Sequence, residues 1–297
     1  MSTAAQSYID AFRRGEDFNA PAVGLTVQGQ PDPAALKFLG EQLAVASSPV
    51  REKIVKLLVD LGRRTDPLTP QGADVLRNPQ ILAILAGPGL VKPDLGRQAA
   101  IDSLRRFSLP GDLSPFGDAL TKVLQEFPTE DCFLLVAKAK PQEAKGIVNH
   151  LAESSAWSKT EAPRIAQAAL GDTKIESEFL SAVAKADANS NARALATALA
   201  TLGLIGTPTS LRAIAQHLRT PLTIELKGAF VKSVRIDVLE ALLYNFPDQP
   251  VLYPNKIVVP EDYLAAEQFC SRTLGVAYTT PEPPFLTYQG YPIPVPQ

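Results

Sequence analysis

Residues 194–218 read A-L-A-T-A-L-A-T-L-G-L-I-G-T-P-T-S-L-R-A-I-A-Q-H-L, and this stretch decides the fold. Leu195, Ala196 and Leu199 stand three, four and seven places after Ala192, on one face of a 3.6-residue helix. Gly203 follows where a cap for that helix is expected, and Gly206 can take a positive φ in the turn. Thr207 then offers a side-chain oxygen to a second helix whose first position is Pro208. Leu211, Ile214, Ala215 and Leu218 make the apolar stripe of that second helix.

The same register recurs on either side. Arg51 is followed at +3, +4 and +7 by Ile54, Val55 and Leu58, Arg97 by Ala100, Ile101 and Leu104, and Arg235 by Val238, Leu239 and Leu242. The starts at 51, 97, 192 and 235 are 46, 95 and 43 residues apart. The long gap holds room for two degenerate copies, near 129–153 and 160–186. A two-helix unit cannot bury both of its stripes alone, so neighbouring copies must stack.

Between these segments most of the 26 prolines fall at element ends, where the missing N–H costs least. The pattern predicts helices over 3–14, 33–46, 49–63, 71–86, 95–107, 115–127, 129–139, 141–153, 160–170, 173–186, 189–203, 208–219, 229–245 and 260–274. In the helix at 115–127, Ser114 is the expected cap. No alternating strand of useful length is visible. Lys256–Val259 comes nearest, as a lone edge-like segment between Pro254 and Pro260.

The 297 residues are 45% hydrophobic, 20% charged and only 7% aromatic, a balance rich in Ala and Leu that suits stacked helices. The net charge of -2 lacks the basic excess of a nucleic-acid binder. Cys132 and Cys270 are too few for a disulfide framework, and no apolar run reaches the length of a membrane span. With no basic region followed by an apolar core at the start, the expected setting is cytoplasmic.

The 192–219 unit resembles a HEAT repeat of the kind found in bacterial proteins. The residues that carry the likeness are Ala198-Leu199, Leu202-Gly203 and Ile205-Gly206-Thr207-Pro208. Segments 51–62 and 97–109 are similar to the first helix of that repeat, and 235–243 more loosely so. The resemblance covers about 50–250, strongly at one unit and weakly elsewhere, and implies an all-α, HEAT-like helical-repeat solenoid. The solenoid is expected to run over 1–277 as a single domain, with a Pro-rich tail at 278–297 that departs from the repeat pattern. The resemblance also implies that Arg51, Arg97 and Arg235 bond a carboxylate or carbonyl of the adjacent unit. HEAT signatures specify architecture better than function.

Chemical motifs are scarce. His150 and His217 lie late in helices without a nucleophile and carboxylate pattern. There is no C-x-x-C or H-x-x-x-H spacing, so neither a metal nor a cofactor is expected. Gly87-Pro88-Gly89 lacks the Lys-Ser/Thr of a phosphate loop and reads as a turn. The pairs Arg13-Arg14, Arg63-Arg64 and Arg105-Arg106 close helices, where cations complement the dipole.

The expected function is therefore non-catalytic protein binding by an adaptor or stoichiometric inhibitor, with a bacterial immunity protein that masks a toxin as its specific form. The alternatives are a HEAT-like nucleic-acid-binding protein and a HEAT-type cofactor lyase or chaperone. The concave-face candidates are Asp118, Lys122 and Gln125 on one second helix and Arg212, Gln216 and Arg219 on another. The tail carries six prolines yet also Phe285, Tyr288 and Tyr291, so it is expected to pack back along the last helices as a cap.

Overall fold

The computed structural model describes residues 3–16, 25–65, 77–107, 111–226 and 231–286. These are mostly helical, and the chain gathers into two compact units, Met1–His150 and Leu151–Gln297.

In the first unit α1 (Thr3–Arg13) precedes a short antiparallel pair, β1 (Thr26–Val27) with β2 (Gln30–Pro31). Then come α2 (Pro33–Val45), α3 (Ser48–Arg64), α4 (Pro79–Ala86), α5 (Pro88–Val91), α6 (Leu95–Phe107), α7 (Gly117–Glu126), α8 (Glu130–Ala139) and α9 (Lys145–Glu153), the last crossing the unit boundary. Helix α6 packs between α3 and α8. Its Ala100, Ile101 and Leu104 are buried, as are Ile54, Val55 and Leu58 of α3.

The second unit contains α10 (Glu161–Ala169), α11 (Thr173–Ala188), α12 (Ala192–Ile205), α13 (Pro208–Gln216), an antiparallel hairpin of β3 (Thr223–Glu225) and β4 (Val231–Ser233), then α14 (Val234–Leu243) and α15 (Pro260–Leu274). Helix α12 packs against α10, α11 and α14, while α13 meets α11, α14 and α15.

Local chemistry sets most helix starts. Thr207 Oγ1 accepts the Ser210 amide at 3.1 Å with Pro208 in the first turn, and Gly206 closes α12 at φ 58°. Asn78 accepts the amides of Gln80 and Ile81, so α4 begins at Pro79 rather than at 71; residues 71–76 lie outside those described.

Four expectations need correction. Gly203 is not a cap: α12 runs on to Ile205, and a Cβ at Gly203 would lie 3.1 Å from the Ala241 Cβ, so it permits close approach of α14. Ser114 does not cap α7. It starts a 3₁₀ turn and bonds Asp112 through its amide and hydroxyl, and α7 begins at Gly117. The helix expected over 229–245 begins only at Val234, because Val231–Ser233 pairs with Thr223–Glu225; the Ser233 hydroxyl then accepts the Arg235 amide at 3.2 Å. Lys256–Val259 is no strand: Lys256 ends a 3₁₀ turn that begins at Pro254. Alternation in T-I-E and V-K-S is only three residues long, too short to register against the helical pattern around it.

Candidate functional site

The three arginines of the repeat are all buried. Arg51 on α3 donates Nη1 to the Leu43 carbonyl and Nη2 to the Gly89 carbonyl at 3.1 Å, and pairs Nε with Asp94 Oδ2 at 2.8 Å. Both Nη atoms also lie 3.4 Å from the Pro88 carbonyl. The Pro88 and Gly89 carbonyls, in the first turn of α5 rather than in the plain turn expected over 87–89, are thus an acceptor platform for Arg51. Asp94 has a second task, because its Oδ1 accepts the Arg97 amide at 3.1 Å and so caps α6. A Cβ at Gly96 would lie 2.6 Å from the Arg51 Cβ, so this approach of α6 to α3 requires glycine. Arg97 donates Nη2 to the Val91 carbonyl at 3.1 Å and to Glu126 Oε2 at 3.0 Å.

Arg235 on α14 is held differently. Its guanidinium lies 3.5 Å over the Tyr263 ring and 3.7 Å from Glu267 Oε1, both on α15. Glu267 is itself gripped by Arg219 in a two-pronged pair, Nε to Oε1 at 3.1 Å and Nη2 to Oε2 at 2.8 Å. Burial lowers the Arg235 pKa and pushes the Tyr263 phenol up to about 12.

The surface candidates fall into two groups. On α7, Asp118, Lys122 and Gln125 are exposed, and Lys122 sits 4.0 Å from Glu126. Lys122, Ala119 and Val123 line one side of a cleft of about 200 Å³ whose other side is Ala86, Leu90 and Val91; Val91 is 68% exposed. On α13, Gln216 is exposed, and Arg212 donates Nε to the Leu274 carbonyl at 3.1 Å. Arg219 is only half-exposed. Besides Glu267 it donates Nη1 to the Thr280 carbonyl at 2.6 Å, and it stacks on Tyr278 at 5.5 Å. With Glu267, Gln268, Ser271, Arg272 and Tyr278 it lines an open cleft of about 490 Å³.

Of the tail residues, Phe285 packs edge-on against Tyr263 at 5.8 Å; Tyr288 and Tyr291 lie outside the described residues. Cys132 and Cys270 are buried free thiols, and burial raises both pKa values, Cys270 to about 11. His217 Nδ1 lies 2.9 Å from the Ala213 carbonyl of its own helix. Among the described residues no group of three or more His, Cys, Asp or Glu is placed to hold a metal, and no helix is long and apolar enough to cross a membrane.

Sequence reasoning missed Glu176, Tyr263, Glu267 and Tyr278. Glu176 is buried on α11 and accepts the Thr207 hydroxyl and, at 2.8 Å, the Ser210 hydroxyl, placing negative charge at the start of α13. A signal existed: Glu176 leads the stripe Phe179, Val183, Ala186, and Glu267 sits inside Tyr263, Ala266, Cys270. A carboxylate within an apolar stripe at helical spacing requires a buried partner. Comparisons with family models, curated proteins and solved structures find no match.

Proposed function

We propose that this chain is a non-catalytic protein-binding α-solenoid of HEAT-like helix pairs, acting as an adaptor or a stoichiometric inhibitor such as an immunity protein that masks a toxin. The observation that carries this reading is the shared use of one helical position. Arg51, Arg97 and Arg235 all stand at the N-terminal edge of a first-helix stripe, and all are buried with a carboxylate from a later element beside them, Asp94, Glu126 and Glu267. Their charge is committed to holding helix pairs together. The packing of α6 between α3 and α8, and of α12 between α10 and α14, agrees with stacked pairs. Second helices leave polar side chains exposed, among them Asp118, Lys122 and Gln125 on α7 and Gln216 on α13. The small cleft beside Lys122, lined in part by Leu90, Val91 and Val123, adds apolar contact next to that charge.

The test is native mass spectrometry of the tagged chain purified gently from its source, compared with a Lys122→Glu/Gln125→Lys variant. The expected result is a one-to-one protein complex that weakens at least tenfold in the variant while the melting temperature stays unchanged. A complex indifferent to the α7 face, or a chain that remains alone at every step, contradicts the proposal. The nucleic-acid alternative predicts steeply salt-dependent DNA binding, and a flat titration at low salt removes it.

A further inference from the structure

The segment after α15 is bound like a ligand. Gly275, at φ 69°, turns the chain out of the helix, and residues 276–286, V-A-Y-T-T-P-E-P-P-F-L, run on without regular structure. They are held by side chains of the second unit that donate to backbone carbonyls. Arg219 Nη1 reaches the Thr280 carbonyl at 2.6 Å and the Tyr278 carbonyl at 3.5 Å, and the Tyr263 hydroxyl reaches the Leu286 carbonyl at 3.5 Å. One bond runs the other way, from the Tyr278 hydroxyl to the Ala215 carbonyl of α13 at 3.0 Å. Two aromatic contacts complete the seat, Phe285 on Tyr263 and Tyr278 under Arg219.

The chemistry of this seat is selective. Pro281, Pro283 and Pro284 have no N–H, so residues 281–284 offer four carbonyls against the one N–H of Glu282, and three of the four bonds named above run from the groove to carbonyls of the segment. A proline-rich chain is already extended, so little entropy is lost when it is ordered. Arg219 is fixed for this work by its two-pronged pair with Glu267, and Arg235 stands behind that carboxylate. Glu282 on the segment lies in the field of both arginines.

We infer that the groove between α13 and α15 is a receptor for extended, proline-rich polypeptide, and that residues 276–286 occupy it in cis as a displaceable strap. A partner would enter with the same chemistry: prolines flanked by an aromatic residue on each side and one acidic residue between. This deepens the protein-binding reading and rests on it only in that the ligand is polypeptide.

The experiment uses the full chain and a fluorescent synthetic peptide of residues 276–286. The strap is directly tethered, so its effective concentration is on the order of millimolar, and wild type binds the peptide weakly. In the full-length Tyr278→Ala/Phe285→Ala variant the seat empties, and anisotropy should show saturable binding at least tenfold tighter than wild type. Adding Arg219→Ala should remove that gain. Far-UV circular dichroism checks that the variants keep their helices. Should they lose them, a peptide with a benzophenone at the Phe285 position is cross-linked to wild type at millimolar concentration. The expected product maps to α15 around Tyr263. Equal affinity for wild type and variant, binding indifferent to Arg219, or cross-links only elsewhere overturns the inference. Those outcomes leave the α7 face untouched, so the general binding reading fails only on its own test.

Discussion

Arg51 and Arg235 occupy the same position of the repeat and are satisfied by opposite means. Both Nη atoms of Arg51 are hydrogen-bonded, Nη1 to the Leu43 carbonyl and Nη2 to the Gly89 carbonyl, and Nε faces Asp94 in an ion pair at 2.8 Å. The Arg235 nitrogens have no hydrogen bond among the described residues, and its charge rests on the Tyr263 face and on a carboxylate shared with Arg219. The shared place in the sequence register goes with burial of the cation in both cases, and the surrounding elements differ in how they compensate it. Helix-end carbonyls and Asp94 do so in one case, an aromatic ring and a shared glutamate in the other. Buried ionic groups are costly to orphan, so the two sites should respond to the same mutation by different amounts.

The largest effect belongs to Arg51→Met. It leaves three carbonyls and Asp94 without their donor, and urea unfolding should show a loss of about 3–5 kcal/mol. Arg235→Met should cost less, about 1–2 kcal/mol, because Glu267 keeps Arg219 and the methionine retains contact with Tyr263. Equal losses at the two sites would erase the distinction between them.

A smaller contrast separates the two helix starts that the sequence presents alike. Thr207→Ala removes a cap bond and a partner of Glu176, and should lower stability by about 1 kcal/mol. Ser114→Ala touches only an exposed bond to Asp112 and should change it by a few tenths.

A pH dependence belongs to the first unit. Burial, helped by the nearby Lys140 charge, lowers the Lys138 pKa from the ordinary 10.5 to about 8. Between these values the unfolded chain binds more protons than the folded one, so this lysine makes stability rise with pH from about 8 to 10.5. Below about 8 it is charged in both states, and its penalty is fully present. Lys138→Met should flatten that rise, and a side-chain NMR titration should place the midpoint near 8. A midpoint near 10.5 would show that the ammonium is well solvated.

Much of the fold was legible because helical periodicity is a strong local signal. The α12–turn–α13 unit could be placed to within a few residues from its stripes, Thr207 and Gly206. The hairpin before α14 was not legible, since three-residue strands leave no period to count. The candidate site was legible in part. Sequence spacing identifies Lys122 and Gln125 as exposed positions of a second helix, but it cannot reveal that Arg219 is gripped by a glutamate 48 residues away. Nor does it foretell that Gly87-Pro88-Gly89, unremarkable as a motif, supplies acceptors for Arg51. Long-range pairing of this kind depends on stacking, which single-sequence periodicity does not encode.

The central claim is that the repeat arginines bind one helix pair to the next, and Asp94 is where that is most directly measured. It joins Arg51 of α3 to the first turn of α6. A double-mutant cycle of Arg51→Met with Asp94→Asn, read by urea unfolding, keeps the cap while removing the charge pair. The account predicts a coupling energy of about 1–3 kcal/mol. A coupling within about 0.3 kcal/mol of zero would mean that the pair does not link the two helices, and would contradict it.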